Sequence, residues 1–474
     1  MKPAHKTYSV IFLLLTALCI SSCVRQPRTE DYTPPRKEQA ELYLFMQPLP
    51  QEMHPLTFTI GDICAVSQDG KIMPLIQGEF HINGRKLVDR QKKLFDTPVK
   101  PGNYKGIRFT ISRATLAGRE GEADLLPPTE PLRVELDFSI LRGKAHALFL
   151  QLSPEFLVAN GFKFTPRFAL TNPQNYPKNY LGFVSNADVN LVTVFHKKTM
   201  NVVNVIRTGT GPKGMALDQE NGIVYVALSG EDAIAAIDAD SMEASGRIKL
   251  RFGDEPLEIA LTPDGETLIC ANNGSGTVSI IDTDSLSERE RLVLDADPVR
   301  VVMDRDGRRA YVLHPLPNSI SVLNLPYRGQ QRSFSLEESP WRGAVNRDSS
   351  ELYLVSPAST EARAIDTRSL TVTKKIFIGG SASFIAADPK TDLLYIGKNT
   401  GEIVVADPSS GIFIDSFSIA GDVDFMAIDG EENMLLVLSS ERKRVHKINV
   451  VSKNEQSQMM LETGAYALVV MGEL

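Results

Sequence analysis

The last 294 residues of the chain are organised by one repeat, which constrains the fold more than any other feature of the sequence. Seven short runs rich in Val, Ile and Ala each end in Asp, Asn or His, and successive end points are 41 to 44 residues apart. The end points are His196, Asp238, Asp282, Asn324, Asp366, Asp407 and Asn449. A short polar side chain at the end of a strand can bond its own backbone and begin a turn. The repeat therefore predicts a strand followed by a turn in every unit.

Two further markers recur seven times in phase with the first. One precedes each strand (LGFVSN, IVYVAL, TLICAN and their equivalents), and the other follows it (GMALD, EIALTPDG, RVVMDRDG and their equivalents). A period of about 42 residues with three or four short strands per unit is typical of a β-propeller. We therefore predict an all-β protein with a seven-bladed β-propeller over residues 181–474.

The repeat units resemble a known bacterial type. Residues 225–227 (YVA), Asp238 and residues 262–265 (TPDG) are similar to the YVTN-type repeats of bacterial seven-bladed propellers (YncE-like repeats). The Trp-Asp and Gly-His marks of WD repeats are missing, and the chain contains a single tryptophan. The resemblance implies the propeller fold and leaves the bound ligand open.

The repeat region starts and stops out of phase with a blade. It opens at Leu181 with the second strand of a unit, and residues 466–474 match the first, innermost strand. The last strand is therefore expected to complete the blade that begins at Leu181, which closes the ring and removes an exposed sheet edge.

A different all-β pattern occupies residues 41–177. Residues 56–60, 107–111 and 132–136 alternate apolar with polar residues, and Gly-containing turns separate such runs. This pattern predicts a β-sandwich domain. Residues 98–109 (PVKPGNYKGIRF) resemble a segment of β-sandwich domains in uncharacterised exported bacterial lipoproteins, and this resemblance implies a fold but no activity.

The first 22 residues have the features of a secretory signal. A short basic head is followed by an apolar run that is too short to span a bilayer as a helix. Residues 20–23 (ISSC) resemble the lipobox of bacterial lipoproteins, which implies cleavage before Cys23 and acylation there, with palmitate among the expected chains. The alternative is an ordinary signal cut near Ser22 that leaves Cys23 as a free thiol.

The lipoprotein resemblance also implies a location. Residues 23–40 are polar and Pro-containing, which is typical of an extended tether. Val24, where that family carries Asp for inner-membrane retention, favours an anchor in the outer membrane.

Composition and motifs exclude several kinds of chemistry. Lys and Arg number 51 against 58 Asp and Glu, so the net charge of -7 argues against nucleic-acid binding. No histidine pair has metal-ligand spacing, and no nucleophile elbow, phosphate loop or dinucleotide fingerprint occurs. Asp238 with Asp240, and Asp282 with Asp284, resemble the start of a calcium loop, but turn chemistry is favoured. We predict no metal, no cofactor and no catalytic residue, with Cys64 and Cys270 as small buried hydrophobes.

Propellers usually bind ligands at one mouth of the central channel, where the loops that enter the innermost strands converge. Residues in those loops that break the repeat are candidates for binding, because blade packing does not demand them. The candidates are Lys213, Glu258, Arg300, Trp341, Arg342, Phe384, Asp424, Phe425 and Tyr466. Trp and Arg are enriched at binding hot spots. The alternative is that the aromatics pack between blades and the charges are solvated rim residues.

Three functions follow as hypotheses. The first is a lipid-anchored binding or scaffold protein, whose envelope protein partner or glycan binds at the propeller mouth. The second is a propeller enzyme of the hydrolase or lactonase kind, for which the mouth loops supply no histidine. The third is a docking subunit of an envelope redox assembly. The first is favoured because the chemistry that the others need is missing.

Overall fold

The structure, a computed structural model, describes residues 40–119, 121–155, 157–327 and 330–472. Within these ranges the protein is all-β, and its helical residues form four short 3-10 turns: Gln51–Met53, Gly84–Leu87, Lys178–Tyr180 and Leu325–Tyr327. None of the helices described there is long and apolar enough to cross a membrane. The predicted signal, Cys23 and the tether up to residue 39 lie outside the described residues.

The N-terminal region contains eleven of the described strands. They are β1 (Ala40–Met46), β2 (Leu56–Ser67), β3 (Ile72–Asn83), β4 (Lys92–Val99), β5 (Gly102–Gly118), β6 (Gly121–Leu125), β7 (Leu132–Ile140), β8 (Ala145–Ser153), β9 (Val158–Ala159), β10 (Lys163–Phe164) and β11 (Arg167–Thr171). One sheet has the order β11-β8-β1-β4, and a second has the order β3-β2-β5-β6, with β7 also paired to β5. The three alternating runs of the sequence lie in β2, β5 and β7, as predicted.

The two N-terminal sheets share one hydrophobic core. Leu42 and Leu44 from β1 pack in the same cluster as Phe58 from β2 and Phe109 from β5. Each of these side chains is at most 1% exposed. Alternation along each strand therefore places its apolar residues between the sheets.

The repeat region contains the remaining strands. They are β12 (Leu181–Asn186), β13 (Leu191–His196), β14 (Asn201–Arg207), β15 (Pro212–Asp218), β16 (Ile223–Leu228), β17 (Ala233–Asp238), β18 (Glu243–Lys249), β19 (Pro256–Leu261), β20 (Thr267–Asn272), β21 (Thr277–Asp282), β22 (Ser287–Val293), β23 (Arg300–Met303), β24 (Arg309–His314), β25 (Ser319–Asn324) and β26 (Gln330–Ser335). They continue with β27 (Arg342–Val345), β28 (Glu351–Val355), β29 (Glu361–Asp366), β30 (Thr371–Phe377), β31 (Ala382–Ala387), β32 (Leu394–Lys398), β33 (Glu402–Asp407), β34 (Ile412–Ser418), β35 (Phe425–Asp429), β36 (Met434–Ser439), β37 (Arg444–Asn449), β38 (Glu455–Met460) and β39 (Ala465–Val470).

These strands form repeated four-stranded antiparallel sheets in chain order, from β15-β16-β17-β18 through β35-β36-β37-β38. A further sheet has the order β14-β13-β12-β39 and joins the two ends of the repeat region. In it Gly182 faces Val470 and Phe183 faces Val469, so the last strand completes the first sheet as predicted. The repeated sheets are consistent with a propeller.

The turns explain the polar residue that ends each third strand. Asp238 Oδ1 accepts the backbone N–H of Ser241 at 2.7 Å, and Asp282 Oδ1 accepts that of Ser285 at 2.9 Å. Both carboxylates serve as turn caps, which agrees with the turn interpretation of these aspartates.

The two cysteines differ in burial. Cys270 is fully buried, as predicted, whereas Cys64 is half-buried, so the prediction for Cys64 was wrong. The side chain of Cys64 lies on the face of β2 that points away from the core, because its neighbours Ile63 and Ala65 occupy the buried positions.

Candidate functional site

Five of the predicted mouth residues occupy one equivalent position on successive innermost strands. The position faces Ala271, Leu313, Val355, Gly397 and Leu438 on the second strands, and these partners are 41 or 42 residues apart. The residues at the position are Glu258, Arg300, Arg342, Phe384 and Phe425. We call them the mouth ring. Since the sheets repeat one register, the ring members come from five different sheets.

Glycine occupies the matching position on β15 for a steric reason. A Cβ atom at Gly214 would lie 2.5 Å from Glu258 Oε1 and 2.8 Å from Glu258 Cα. These separations are shorter than van der Waals contact allows. Gly214 therefore leaves room for the carboxylate of Glu258.

Glu258 is the electrostatic centre of the ring. Its Oε2 lies 3.3 Å from Arg342 Nη1 and 3.5 Å from Arg300 Nε. Arg300 Nη1 also donates hydrogen bonds to Tyr466 Oη at 2.8 Å and to the Val299 carbonyl at 3.0 Å. One carboxylate thus holds two guanidinium groups at the head of the central channel.

Aromatic rings flank both guanidinium groups. Arg300 lies 5.7 Å from the ring centroid of Trp341 and 5.6 Å from that of Tyr466. Arg342 lies 4.9 Å from the centroid of Phe384 and 5.7 Å from that of Phe425. Contacts of this kind favour a cation over the face of the aromatic ring, and more so where water is excluded.

The charges of the ring are buried. The side chains of Glu258 and Arg300 are each 9% exposed, and that of Arg342 is 11% exposed. The alternative in which these charges are solvated rim residues is therefore wrong for all three. Two cations meet one anion, and burial together with the charge of Arg300 lowers the pKa of Arg342 to about 10. Nε of each arginine has no hydrogen-bond partner among the described residues.

Trp341 and Tyr466 precede the ring position by one residue and still reach Arg300. Trp341 is 37% exposed, so part of its ring faces solvent while it contacts Arg300. Burial raises the pKa of the Tyr466 hydroxyl, although the charge of Arg300 opposes the rise.

Two predicted residues do not join the ring through their side chains. Lys213 contributes its carbonyl, which accepts a hydrogen bond from Ser185 Oγ at 2.7 Å. Asp424 Oδ2 accepts the backbone N–H of Ser440 at 2.7 Å, and burial raises the pKa of Asp424. Asp424 therefore contributes to a loop rather than to the ring.

The central channel continues below the ring as a cavity of about 430 Å³. Phe384 and Phe425 line its upper end, and their ring centroids are 4.5 Å apart. Asp304 lies at the opposite end, and burial raises its pKa to about 6. Asp304 was not among the predicted site residues, although its position directly after the innermost strand β23 can be read from the repeat.

His314 and Ser321 lie together in a way that resembles a catalytic pair. His314 Nε2 is 3.0 Å from Ser321 Oγ, and His314 Nδ1 is 3.1 Å from the carbonyl of Asp297. His314 is 1% and Ser321 is 2% exposed, so a substrate has no access to either side chain. Among the described residues no group of three or more His, Cys, Asp or Glu side chains is arranged to hold a metal ion.

The comparisons with known proteins give the fold. No protein-family model matches the chain, and no curated protein matches it. Solved structures do: hydrazine synthase from Kuenenia stuttgartiensis is 15% identical with a TM-score of 0.51, and the match covers 58% of this chain and 94% of that one. A functionally unknown protein from Desulfotomaculum acetoxidans is 11% identical with a TM-score of 0.55, covering 61% and 98%. Dihydro-heme d1 dehydrogenase NirN is 12% identical with a TM-score of 0.50, covering 63% and 77%.

The first and third of these structures are β-propeller-like proteins. The chain is therefore all-β with a propeller-like arrangement of four-stranded sheets. At these identities the likeness concerns the fold alone.

Proposed function

We propose that this chain is a lipid-anchored protein of the bacterial cell envelope, held in the outer membrane, that acts as a non-enzymatic binding or scaffold module. An envelope protein binds at the mouth of its propeller, and a glycan is the other ligand class that the sequence favours. The mouth ring carries the proposal, because two buried guanidinium groups share one carboxylate, and one of them contacts the half-exposed Trp341. Such an Arg and Trp constellation is typical of interface hot spots.

The finer architecture belongs to the same proposal. Counting the closing sheet, the described residues form seven four-stranded sheets in the repeat region, which supports a seven-bladed propeller. Two sheets over one core support an N-terminal β-sandwich. The lipid anchor rests on the signal and lipobox pattern that ends at Cys23.

Exposed apolar side chains at the same end of the sheets favour a protein partner. Phe252 and Phe377 lie in or next to the loops that lead from an outermost strand to the next innermost strand, as Trp341 does. Phe252 is 102% exposed, Phe377 is 70% exposed, and Leu316 in the β24–β25 turn at that end is 83% exposed. Large apolar residues that face water on one side of a protein are typical of interaction surfaces.

Among the described residues at the mouth, no accessible reactive pair supports the enzyme alternative. Glu258 is engaged by two arginines, and the side chains of His314 and Ser321, which meet at the same end of the sheets, are buried. A docking role in a redox assembly would use the same exposed apolar surface. A search for binding partners would therefore reveal this role as well.

The test is crosslinking in the native envelope, followed by mild detergent extraction and mass spectrometry. We expect specific partners to be recovered with the wild-type chain and to fall at least about tenfold with Trp341→Ala, since loss of a hot-spot side chain costs about 2 kcal/mol or more. Phe413→Ala is the matched control, because Phe413 is 50% exposed on the outermost strand β34. Equal recovery from both variants would remove the mouth as the binding site.

A further inference from the structure

A second cavity lies away from the mouth, where the N-terminal sheets meet the repeat region. Its volume is about 350 Å³, within the usual range for small-ligand sites. The paired strands β1 and β4 form one wall, and the outermost strands β14 and β38 form the others. We call this space the seam cavity.

Specific polar contacts join the N-terminal sheets to the repeat region beside the cavity. Gln91 bonds the backbone of Val202 twice: its Nε2 donates to the carbonyl and its Oε1 accepts the N–H, each at 3.0 Å. Glu41 and Arg207 form an ion pair in which the side chains are 4% and 16% exposed. The seam cavity is therefore bounded by a fixed interface.

Most of the cavity surface is apolar. Phe45, Met200, Val205, Met459 and Leu461 line it, and each is at most 8% exposed. Methionine side chains are unbranched and flexible, so they adapt to a ligand that has no rigid shape. Such a lining suits an aliphatic chain.

The polar part of the cavity is positively charged. Glu462 is the sole carboxylate among its described lining residues, and Lys93 Nζ already lies 2.6 Å from both of its oxygens. Arg90, Lys92 and Arg444 line the same space without a carboxylate of their own among the described ion pairs. The cavity thus carries more cations than anions.

Arg444 is placed to receive an anion. Its Nη1 donates to Gln458 Oε1 at 2.6 Å, while its Nε is buried and has no hydrogen-bond partner in the described part of the chain. A buried donor of this kind loses its bonds to water without replacement, which is unfavourable. A carboxylate in the cavity would supply the missing acceptor.

We propose that the seam cavity binds a long-chain fatty acid, with its carboxylate at Arg444 and its aliphatic chain between Met200, directly before β14, and Met459 of β38. The apolar lining and the excess of positive charge each match one part of such a molecule. This site is independent of the mouth ring and does not rest on the function proposed for it.

The test uses the purified full-length protein in lipid nanodiscs and a fatty acid with a photoreactive diazirine in its chain. After illumination, peptide mapping is expected to place the crosslink on β14 or β38. A matched long-chain alcohol carries the same diazirine without the charge. It is expected to label about tenfold less, as is Arg444→Gln with the fatty acid probe.

Two further variants keep the result interpretable. Arg442→Gln changes an exposed arginine two residues away and is expected to label like the wild type. Val205→Phe fills the cavity without touching Arg444 and is expected to abolish labelling, with folding checked by circular dichroism. Equal labelling by acid and alcohol, crosslinks confined to other strands, or preferential labelling by a diazirine phospholipid would each overturn the proposal.

Discussion

Lys197 Nζ lies 2.8 Å from Asp429 Oδ2, and the two side chains are 2% and 1% exposed. Lys197 follows β13 in the sheet that β39 completes, whereas Asp429 ends β35 in the neighbouring sheet. The same ammonium group donates to the carbonyl of Met471 at 2.6 Å, directly after β39. One buried cation therefore links the sheet that β39 completes to the neighbouring sheet of β35 to β38, where the two ends of the repeat region meet.

Replacing that lysine tests the closure directly. Lys197→Met leaves the carboxylate of Asp429 buried and unpaired, so we expect the free energy of unfolding to fall by about 3–5 kcal/mol. Urea denaturation measures the change. Lys198→Met is the control, because that side chain is 52% exposed, and the double variant Lys197→Met, Asp429→Asn should recover part of the loss. Equal stability of the two single variants would show that the ion pair of Lys197 and Asp429 does not stabilise the contact between these two sheets.

Gly214→Ala tests the space that the mouth ring needs. The new methyl group would meet Glu258 at 2.5 Å, so we expect unfolding to become easier by about 1–3 kcal/mol and the capture of mouth partners to weaken. Gly118→Ala is the matched control, because a Cβ atom there has its nearest neighbour at 3.6 Å. Thermal unfolding of the two variants would be compared, and an unchanged melting temperature for Gly214→Ala would contradict the geometry of the ring.

Asp304 predicts a dependence of stability on pH. Burial raises its pKa from 3.8 to about 6 in the folded protein, so folding favours the protonated form. Its stabilising contribution is present below about pH 4 and is lost as the pH rises through 6. Asp304→Asn should therefore be close to the wild type in stability at pH 4 and exceed it at pH 8, by at most about 3 kcal/mol. Urea denaturation at both pH values tests this, with the exposed Asp240→Asn in a turn of another sheet as control. A stabilisation that is equal at the two pH values would contradict it.

The cysteines predict a selective labelling pattern. Burial raises the pKa of both thiols, but Cys270 is fully buried and Cys64 is half-buried. A maleimide should therefore label Cys64 slowly in the native protein and Cys270 only after denaturation. Mass spectrometry of the peptides measures both. Native labelling of Cys270 would mean that the sheet containing β20 opens at equilibrium.

Strand positions and the closing strand could be predicted from the sequence because the period repeats. Each unit repeats the same alternation of residues and the same polar residue at the turn. The turn positions of Asp238 and Asp282 therefore follow from their place in the repeat. The pairing of Gly182 with Val470 follows from the unit that is split between the two ends. Where one position lacks a repeat to support it, as at Cys64, burial was misjudged.

The candidate site could be predicted in part. Breaks in the repeat identify Glu258, Arg300 and Arg342 as unusual, but their mutual contacts depend on sheets that are about 42 residues apart in sequence. Lys213 and Asp424 break the repeat as clearly, yet their side chains do not reach the ring. The seam cavity had no sequence signal, because it forms only where the N-terminal sheets and the repeat region meet in space.

The pairing of β12 with β39 also sets an order of events during folding. Gly182 and Val470 are separated by most of the repeat region, so the chain loses considerable loop entropy before this pair can form. We therefore expect this pairing to form last, after the intervening sheets are in place. Until then β12 presents an open strand edge, and a chain that stalls before β39 would offer that edge to other molecules. Molecules arrested at this stage would be the most susceptible to aggregation while the protein matures.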